Sequence, residues 1–249
     1  MQHSTPSPSE ASTTWEGSYA LHDFRRIDWG AWHAMSTTAR KDAQTALAHA
    51  IDRTRTSQPH GSSAVYTVLG HKADVLFVHL RPSIAALHHA EQTINTTAPP
   101  LLSQCTSTVS VVEMSNYMYR SDTDPRTIPE IHERLYPTLP PDQHICFYPM
   151  SKRRMLDDNW YRLPIDERRT LMRQHSITGR NYAGKVKQMI TGSIGFDDWE
   201  WGVTLFAHDP LQFKKIVYDM RFDEVSARYA EFGSFFVGTP ASAHTILPI

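Results

Sequence analysis

Apolar and polar residues alternate over Tyr19–Arg25, which predicts a strand. Asp28 then stands where a helix N-cap belongs, and a helical pattern follows over Trp29–Thr56. Two β-rich runs, Ser63–Leu69 and Asp74–Leu80, flank a turn containing Gly70. Pro82 and Ser83 open a second helix that must stop before Pro99-Pro100, and Thr106–Tyr119 reads as a further strand. The order is βαββαβ. The same order returns later: a strand at Ile145–Met150, and a helix at Asp166–Ile177 between Pro164 and Gly179. Strands at Lys185–Ile190 and Trp199–Phe206 flank a turn region at 192–198, a helix capped at Asp209-Pro210 runs to Met220, and a last strand covers Phe232–Val237. DVLFVHLRPS answers GVTLFAHDPL about 128 residues on, pairing Pro82 with Pro210.

Two βαββαβ units predict an α+β protein of two ferredoxin-like domains. Their sheets could join in one β-barrel-like core with an interior able to hold a ligand. The expected division is a disordered tail over 1–14, rich in Ser, Thr and Pro, an N-terminal domain over 15–120, a linker over 121–144 and a C-terminal domain over 145–249. Five prolines mark the linker.

Composition narrows the function. Of 249 residues, 25 are Lys or Arg and 26 Asp or Glu, a net charge of −1, which argues against a dedicated nucleic-acid binder but permits a local basic pocket. No apolar run reaches membrane-span length, and the N-terminus has no secretory pattern. Cys105 and Cys146 form no metal-binding or haem-attachment spacing, as expected of two reduced thiols in a cytoplasmic protein.

Four features could carry chemistry. If ICFYPMSKRR is extended, Tyr148, Met150 and Lys152 share one strand face. A phenol, a thioether and an ammonium facing one space is unusual for a core, although a strand ending in an exposed basic tip is the simpler reading of the pattern alone. His175 shares a helix face with Leu171 and Met172. It is either a satisfied core histidine, the commoner case, or an axial ligand: one His is poor for zinc but sufficient for haem, which brings four nitrogens. From Arg168 to Phe196 there are six basic residues and no acid, which is either a solvated face or a pocket for a polyanion. Gln188 stands between Val186 and Ile190 on an otherwise apolar strand face. Gly179-x4-Gly184-Lys185 imitates part of a phosphate-binding loop, but Val186 replaces the Ser or Thr that would hold magnesium.

YPMSKRR, NWY at Asn159–Tyr161, GRNYAGKVKQMITGSIGFDDWEWGVTLF and RFDEVSARYAEFGSFFVG closely resemble the coproheme decarboxylases. These form the haem-synthesis branch of the chlorite dismutase superfamily, in the form typical of Firmicutes. The resemblance spans about residues 15–240 and is weaker in the N-terminal half. It implies a homopentamer whose C-terminal half binds iron-coproporphyrin III, with hydrogen peroxide converting propionates 2 and 4 to vinyl groups to give protohaem and carbon dioxide. The iron porphyrin is both substrate and redox centre, with no other cofactor. Carried across, His175 resembles the axial ligand, Tyr148 the tyrosine oxidised to a radical, and Lys152 the lysine beside a reacting propionate. Arg134, Tyr148, Pro149, Met150, Ser151, Lys152, Gln188 and Ser226 match positions expected to touch the substrate, with Arg180 and Lys187 as further carboxylate partners. Two other activities stay open, a haem-binding or delivery protein and a chlorite dismutase. The latter relies on an arginine where this chain has Gln188.

Overall fold

The structure, a computed structural model, describes residues 11–56, 59–115, 117 and 127–249. Residues 1–10 of the expected tail, and 118–126 between the halves, lie outside the described residues. Thr14, placed in the tail by its sequence, already pairs with Ser115.

The first half runs β1 (Thr14–Ile27), α1 (Trp29–Ala34), α2 (Thr37–Thr54), β2 (Ser62–Val68), β3 (Val75–Arg81), α3 (Ile84–Thr97) and β4 (Leu102–Ser115). The single helix expected over Trp29–Thr56 is therefore two helices. Ser36 interrupts it because its hydroxyl accepts from the Ala39 amide as the N-cap of α2, while Asp28 caps α1 through the Ala31 amide. Ser83 caps α3 in the same way.

The stretch read as a linker contains a helix, α4 (Pro129–Leu135), with Pro129 at its first position. Ile131 and Leu135 on α4 pack with Met114 of β4, so apolar spacing outweighs the proline content there.

The second half runs β5 (His144–Lys152), α5 (Ile165–Arg180), β6 (Lys187–Gly192), β7 (Trp201–Ala207), α6 (Leu211–Met220), α7 (Glu224–Tyr229), β8 (Ala230–Phe232) and β9 (Phe236–Pro240), followed by α8 (Ala243–Ile246). A single turn of 3₁₀ helix at Trp160–Arg162 lies between β5 and α5. The one strand expected over Phe232–Val237 is two, β8 and β9, which pair with opposite ends of β5. Pro149 falls between these pairings. Its carbonyl accepts from Gly233, and its missing N–H faces the break between β8 and β9, so β5 continues to Lys152 instead of ending at the proline. Gly179 does not stop α5, which runs on to Arg180; Gly184 takes the left-handed conformation, at φ +76°.

All the strands are antiparallel, in the order β7-β6-β4-β1-β3-β2-β9-β5-β8. Because β5 also pairs with β7, eight of them close into a barrel that removes the open edges. Each half keeps the ferredoxin-like order, β4-β1-β3-β2 and β6-β7-β5-β9.

The barrel interior is a packed core, not the ligand chamber the sequence suggested. Phe24, Leu76, Val78, Phe147, Met189 and Phe206 meet inside it from both halves. His22 stacks on Phe147 at 4.2 Å and bonds Thr204 at 2.9 Å, joining the halves across the interior. Burial holds this imidazole neutral, with its pKa pushed down to about 3. A cavity of about 1080 Å³ does open at one mouth of the barrel, walled by Phe24, Arg26, Lys72, Pro149, Trp199 and Phe232.

Candidate functional site

Strand alternation sorts the residues of β5. Ile145 and Phe147 point into the barrel, while Cys146, Tyr148 and Met150 point outward to the helices of the second half. On that outer face they meet Val203 and Leu205 of β7, Ile190 of β6 and Phe213 and Ile216 of α6. The short string therefore divides. Pro149 lines the barrel mouth, and Ser151 is buried with its hydroxyl accepting from the Glu200 amide at 3.2 Å. Both belong to the face away from Tyr148.

Tyr148 is 8% exposed. Phe235 stacks on its ring at 4.3 Å between centroids, and Phe232 lies at 5.8 Å. Burial holds the phenol protonated, well above the ordinary tyrosine range, with Cys146 adding to this and the cation of Arg221 opposing it. Arg221 itself lies 3.8 Å from the Phe232 centroid.

Lys152 is not a solvated tip. Its Nζ lies 4.6 Å from the centroid of Trp160, a buried ring that packs with Val225 and Tyr229. Desolvation lowers the ammonium pKa to about 8, against the opposing pull of Asp223 and Glu200. Glu200 also fixes the local backbone, accepting from the Lys152 amide at 2.6 Å and pairing with Arg154 at 3.4 Å.

His175 is half-buried on α5, and its Nδ1 lies 3.0 Å from Asp223 Oδ1. Asp223 is also the N-cap of α7, accepting from the amides of Val225 at 2.9 Å and Ser226 at 3.3 Å. Burial alone would raise the Asp223 pKa, but the His175 hydrogen bond and these two amides outweigh it and hold the carboxylate ionised. An ionised partner on Nδ1 fixes the proton there and leaves Nε2 as the lone-pair donor. That is the arrangement an axial iron ligand requires.

Among the described residues, no three His, Cys, Asp or Glu side chains converge as a metal site. The donor set does not suit a bare ion. It suits a metal that brings its own equatorial donors. The main contacts of α5 are with α6 and α7, and Arg168 is its only fully buried residue, so the helix is loosely seated.

Gln188 is exposed on β6, two residues from Ile190 on the same face, and Ser226 is buried on α7 beside Asp223. Arg134 is exposed on α4. Lys187 Nζ donates to the Thr138 carbonyl at 2.9 Å, tying the chain after α4 to the strand that carries Gln188. Arg180 is exposed at the end of α5. Sequence reasoning missed Asp223, Trp160, Glu200, Arg221 and Phe235. Only Asp223 had a readable signal, as an Asp before a short helical run. The others matter through contacts between distant segments.

The family model for chlorite dismutase matches residues 37–241. The chain belongs to the chlorite dismutase family. It is similar to a solved structure described as a novel haem-binding protein from Thermus thermophilus, with 46% identity over 98% of this chain and 97% of that one, at a TM-score of 0.90. A putative chlorite dismutase shares 19% identity over 94% and 98% of the two chains, at a TM-score of 0.75. An arginine-to-alanine variant of the chlorite dismutase from Candidatus Nitrospira defluvii shares 16% over 93% and 94%, also at 0.75. These last two establish the common fold alone. Membership of the chlorite dismutase family accounts for the α+β architecture. Among the described residues, no helix is long and apolar enough to cross a membrane.

Proposed function

We propose that this chlorite dismutase-family protein is a coproheme decarboxylase. The observation that carries the reading is the outer face of the second half: a buried phenol and a desolvated ammonium on one strand, with a carboxylate-oriented histidine on the helix beyond. Iron-coproporphyrin III is the substrate, and its iron with hydrogen peroxide supplies the oxidising equivalents. For each of two propionates, one peroxide and one proton are consumed, and a vinyl group, carbon dioxide and two waters are formed.

The residues divide the work. His175 Nε2 ligates the iron, while Asp223 holds the ring's tautomer and orientation. Tyr148 surrenders an electron and a proton, then takes a hydrogen atom from the propionate β-carbon. A propionate C–H bond is too weakly acidic for any side chain here to deprotonate, so a one-electron oxidant beside that carbon is required. Lys152 pairs with a propionate carboxylate about 13 Å along the strand from Tyr148. Arg134, Met150, Gln188 and Ser226 are the remaining substrate contacts. Pro149 and Ser151 hold the strand from its other face. The working form is a homopentamer in the cytoplasm, checked by its mass in solution.

A haem-binding or delivery role is the second reading, favoured by the description of the 46% identical relative as haem-binding. It needs His175 but not Tyr148. Chlorite dismutation is disfavoured, since the neutral amide of Gln188 brings no charge to steer an anionic oxidant. Mixing the purified protein with iron-coproporphyrin III and peroxide, and following product mass, separates these readings. Stepwise loss of two carboxyl groups supports the decarboxylase. Unchanged porphyrin mass with tight binding supports the carrier.

A further inference from the structure

The ring that covers Tyr148 is held in place from the other half of the molecule. The turn between β2 and β3 bends at Gly70, where φ is +94°, and touches β9 at one point and the loop between β8 and β9 at another. The Leu69 amide donates to the Val237 carbonyl at 2.9 Å. Lys72 Nζ donates to the Phe235 carbonyl at 2.7 Å and lies 5.5 Å from the Phe236 centroid. From the other side, Gly233 donates to Pro149. A Cβ at Gly233 would meet Pro149 Cγ at 2.7 Å and Trp199 at 3.0 Å, so only glycine allows this approach. Phe235 is thus fixed between a lysine of the first half and the strand that carries Tyr148, with its ring stacked on the phenol at an interplanar angle of 24°.

We infer that Lys72 is a positioning residue for Tyr148, acting through the Phe235 carbonyl and ring. The stack leaves the phenol few orientations and keeps water from one face of its ring. A phenol that must exchange an electron and a proton with one neighbour and take a hydrogen atom from another tolerates little displacement. Lys72 meets neither substrate nor iron in this scheme. It holds the loop whose aromatic ring holds the tyrosine. The catalytic significance rests on the decarboxylase reading, whereas the positioning itself does not.

The test uses the full chain labelled with fluorotyrosine, with the Tyr148 resonance assigned by its disappearance in Tyr148→Phe. Lys72→Met removes the donor and keeps the aliphatic stem. It should shift the Tyr148 resonance, leave the affinity for iron-coproporphyrin within about twofold and lower kcat about tenfold, the size expected for losing one charge-assisted hydrogen bond. Lys72→Arg, which retains a donor, should restore both resonance and kcat. Phe235→Leu, a second route to the same loss, should shift the resonance as Lys72→Met does, which covers the case in which Lys72→Met folds poorly. An unmoved resonance in folded Lys72→Met overturns the inference, whatever Phe235→Leu does. So does a shifted resonance with unchanged kcat in a protein that Tyr148→Phe inactivates. If Tyr148→Phe keeps wild-type turnover, the decarboxylase reading fails, and the resonance still decides whether Lys72 positions the tyrosine.

Discussion

The two halves share a strand order but differ in how the first long helix meets its sheet. In the first half, α2 buries Ala43, Leu47, Ala50 and Ile51, and α8 adds Ala243 and Ile246 to the same cluster. In the second half, α5 buries only Arg168 and leaves Leu171, Met172 and His175 partly covered. Register makes the contrast sharper. Arg25 pairs with Val75 and Tyr148 with Val203, and these partners are 128 residues apart, so Arg25 and Tyr148 occupy equivalent places. Arg25 closes a buried network, bonding Asp23 at 2.6 Å and Asn95 at 2.7 Å. Tyr148 is capped by the Phe235 ring on the outer face of the sheet, packed with residues of β7 and α6. One half spends the position on holding itself together; in the other it carries the phenol proposed above to do the chemistry.

The largest expected effect tests that division directly. Tyr148→Phe should still bind iron-coproporphyrin and lose turnover of the first propionate almost completely. If the hydroxyl only hydrogen-bonded a propionate, the loss would be about 5- to 30-fold. Retention of a tenth of wild-type turnover, at saturating substrate and peroxide, would show Tyr148 to be a binding residue only. His175→Ala should come next, changing the iron absorption spectrum and weakening binding without abolishing it, because the carboxylate anchors remain. An unchanged spectrum removes His175 as the ligand.

In the first half the consequences should be structural. Arg25→Met leaves Asp23 buried without its cation and should cost about 3–5 kcal/mol at neutral pH in denaturant unfolding. Burial already pushes the Asp23 pKa up against the pull of Arg25. The orphaned carboxyl should therefore take up a proton, and the deficit should shrink as pH falls. Leu47→Ala should cost about 2–5 kcal/mol. Leu171→Ala on the open helix should cost less, below about 1.5 kcal/mol, because a partly covered side chain leaves little cavity behind. Equal losses at these two leucines would erase the contrast between α2 and α5.

The smallest effect is a pH profile. Lys152 titrates near 8 in the folded protein, so kcat/KM for the anionic porphyrin should fall as pH rises through that value. Lys152→Arg should move this limb upward. Between about 8 and the ordinary lysine value the unfolded chain binds a proton that the native state lacks, so the same group makes stability rise with pH across that window. A kcat/KM flat from pH 7 to about 9 would separate Lys152 from substrate recognition.

The repeated βαββαβ order, the N-cap at Asp28, the helix start at Pro82-Ser83, and the shared face of Tyr148, Met150 and Lys152 were all legible in the chain. Each depends on spacing of about 2.0 or 3.6 residues, which sequence carries directly. The place of His175 on the face of Leu171 and Met172 was legible too, but not the carboxylate that orients it, because Asp223 lies 48 residues away and its cap geometry exists only after α7 folds. The break between β8 and β9 was marked only by Gly233-Ser234 inside an otherwise aromatic and β-branched run, and only β5 decides that both ends pair. The helix inside 121–144 was hidden because five prolines imitate a linker, while Met114 supplies the surface that α4 covers.

The elements, the repeat and the set of residues able to do redox and acid–base chemistry all follow from local periodicity and functional groups, so the chain alone carries them. Where that chemistry sits is a property of the assembled fold. Closure of eight strands fills the barrel with side chains from both halves, and this moves the candidate site to the outer face of the second half. Whether a helix seats tightly, as α2 does, or stands open, as α5 does, depends on the summed packing of residues from many segments, which no local pattern encodes.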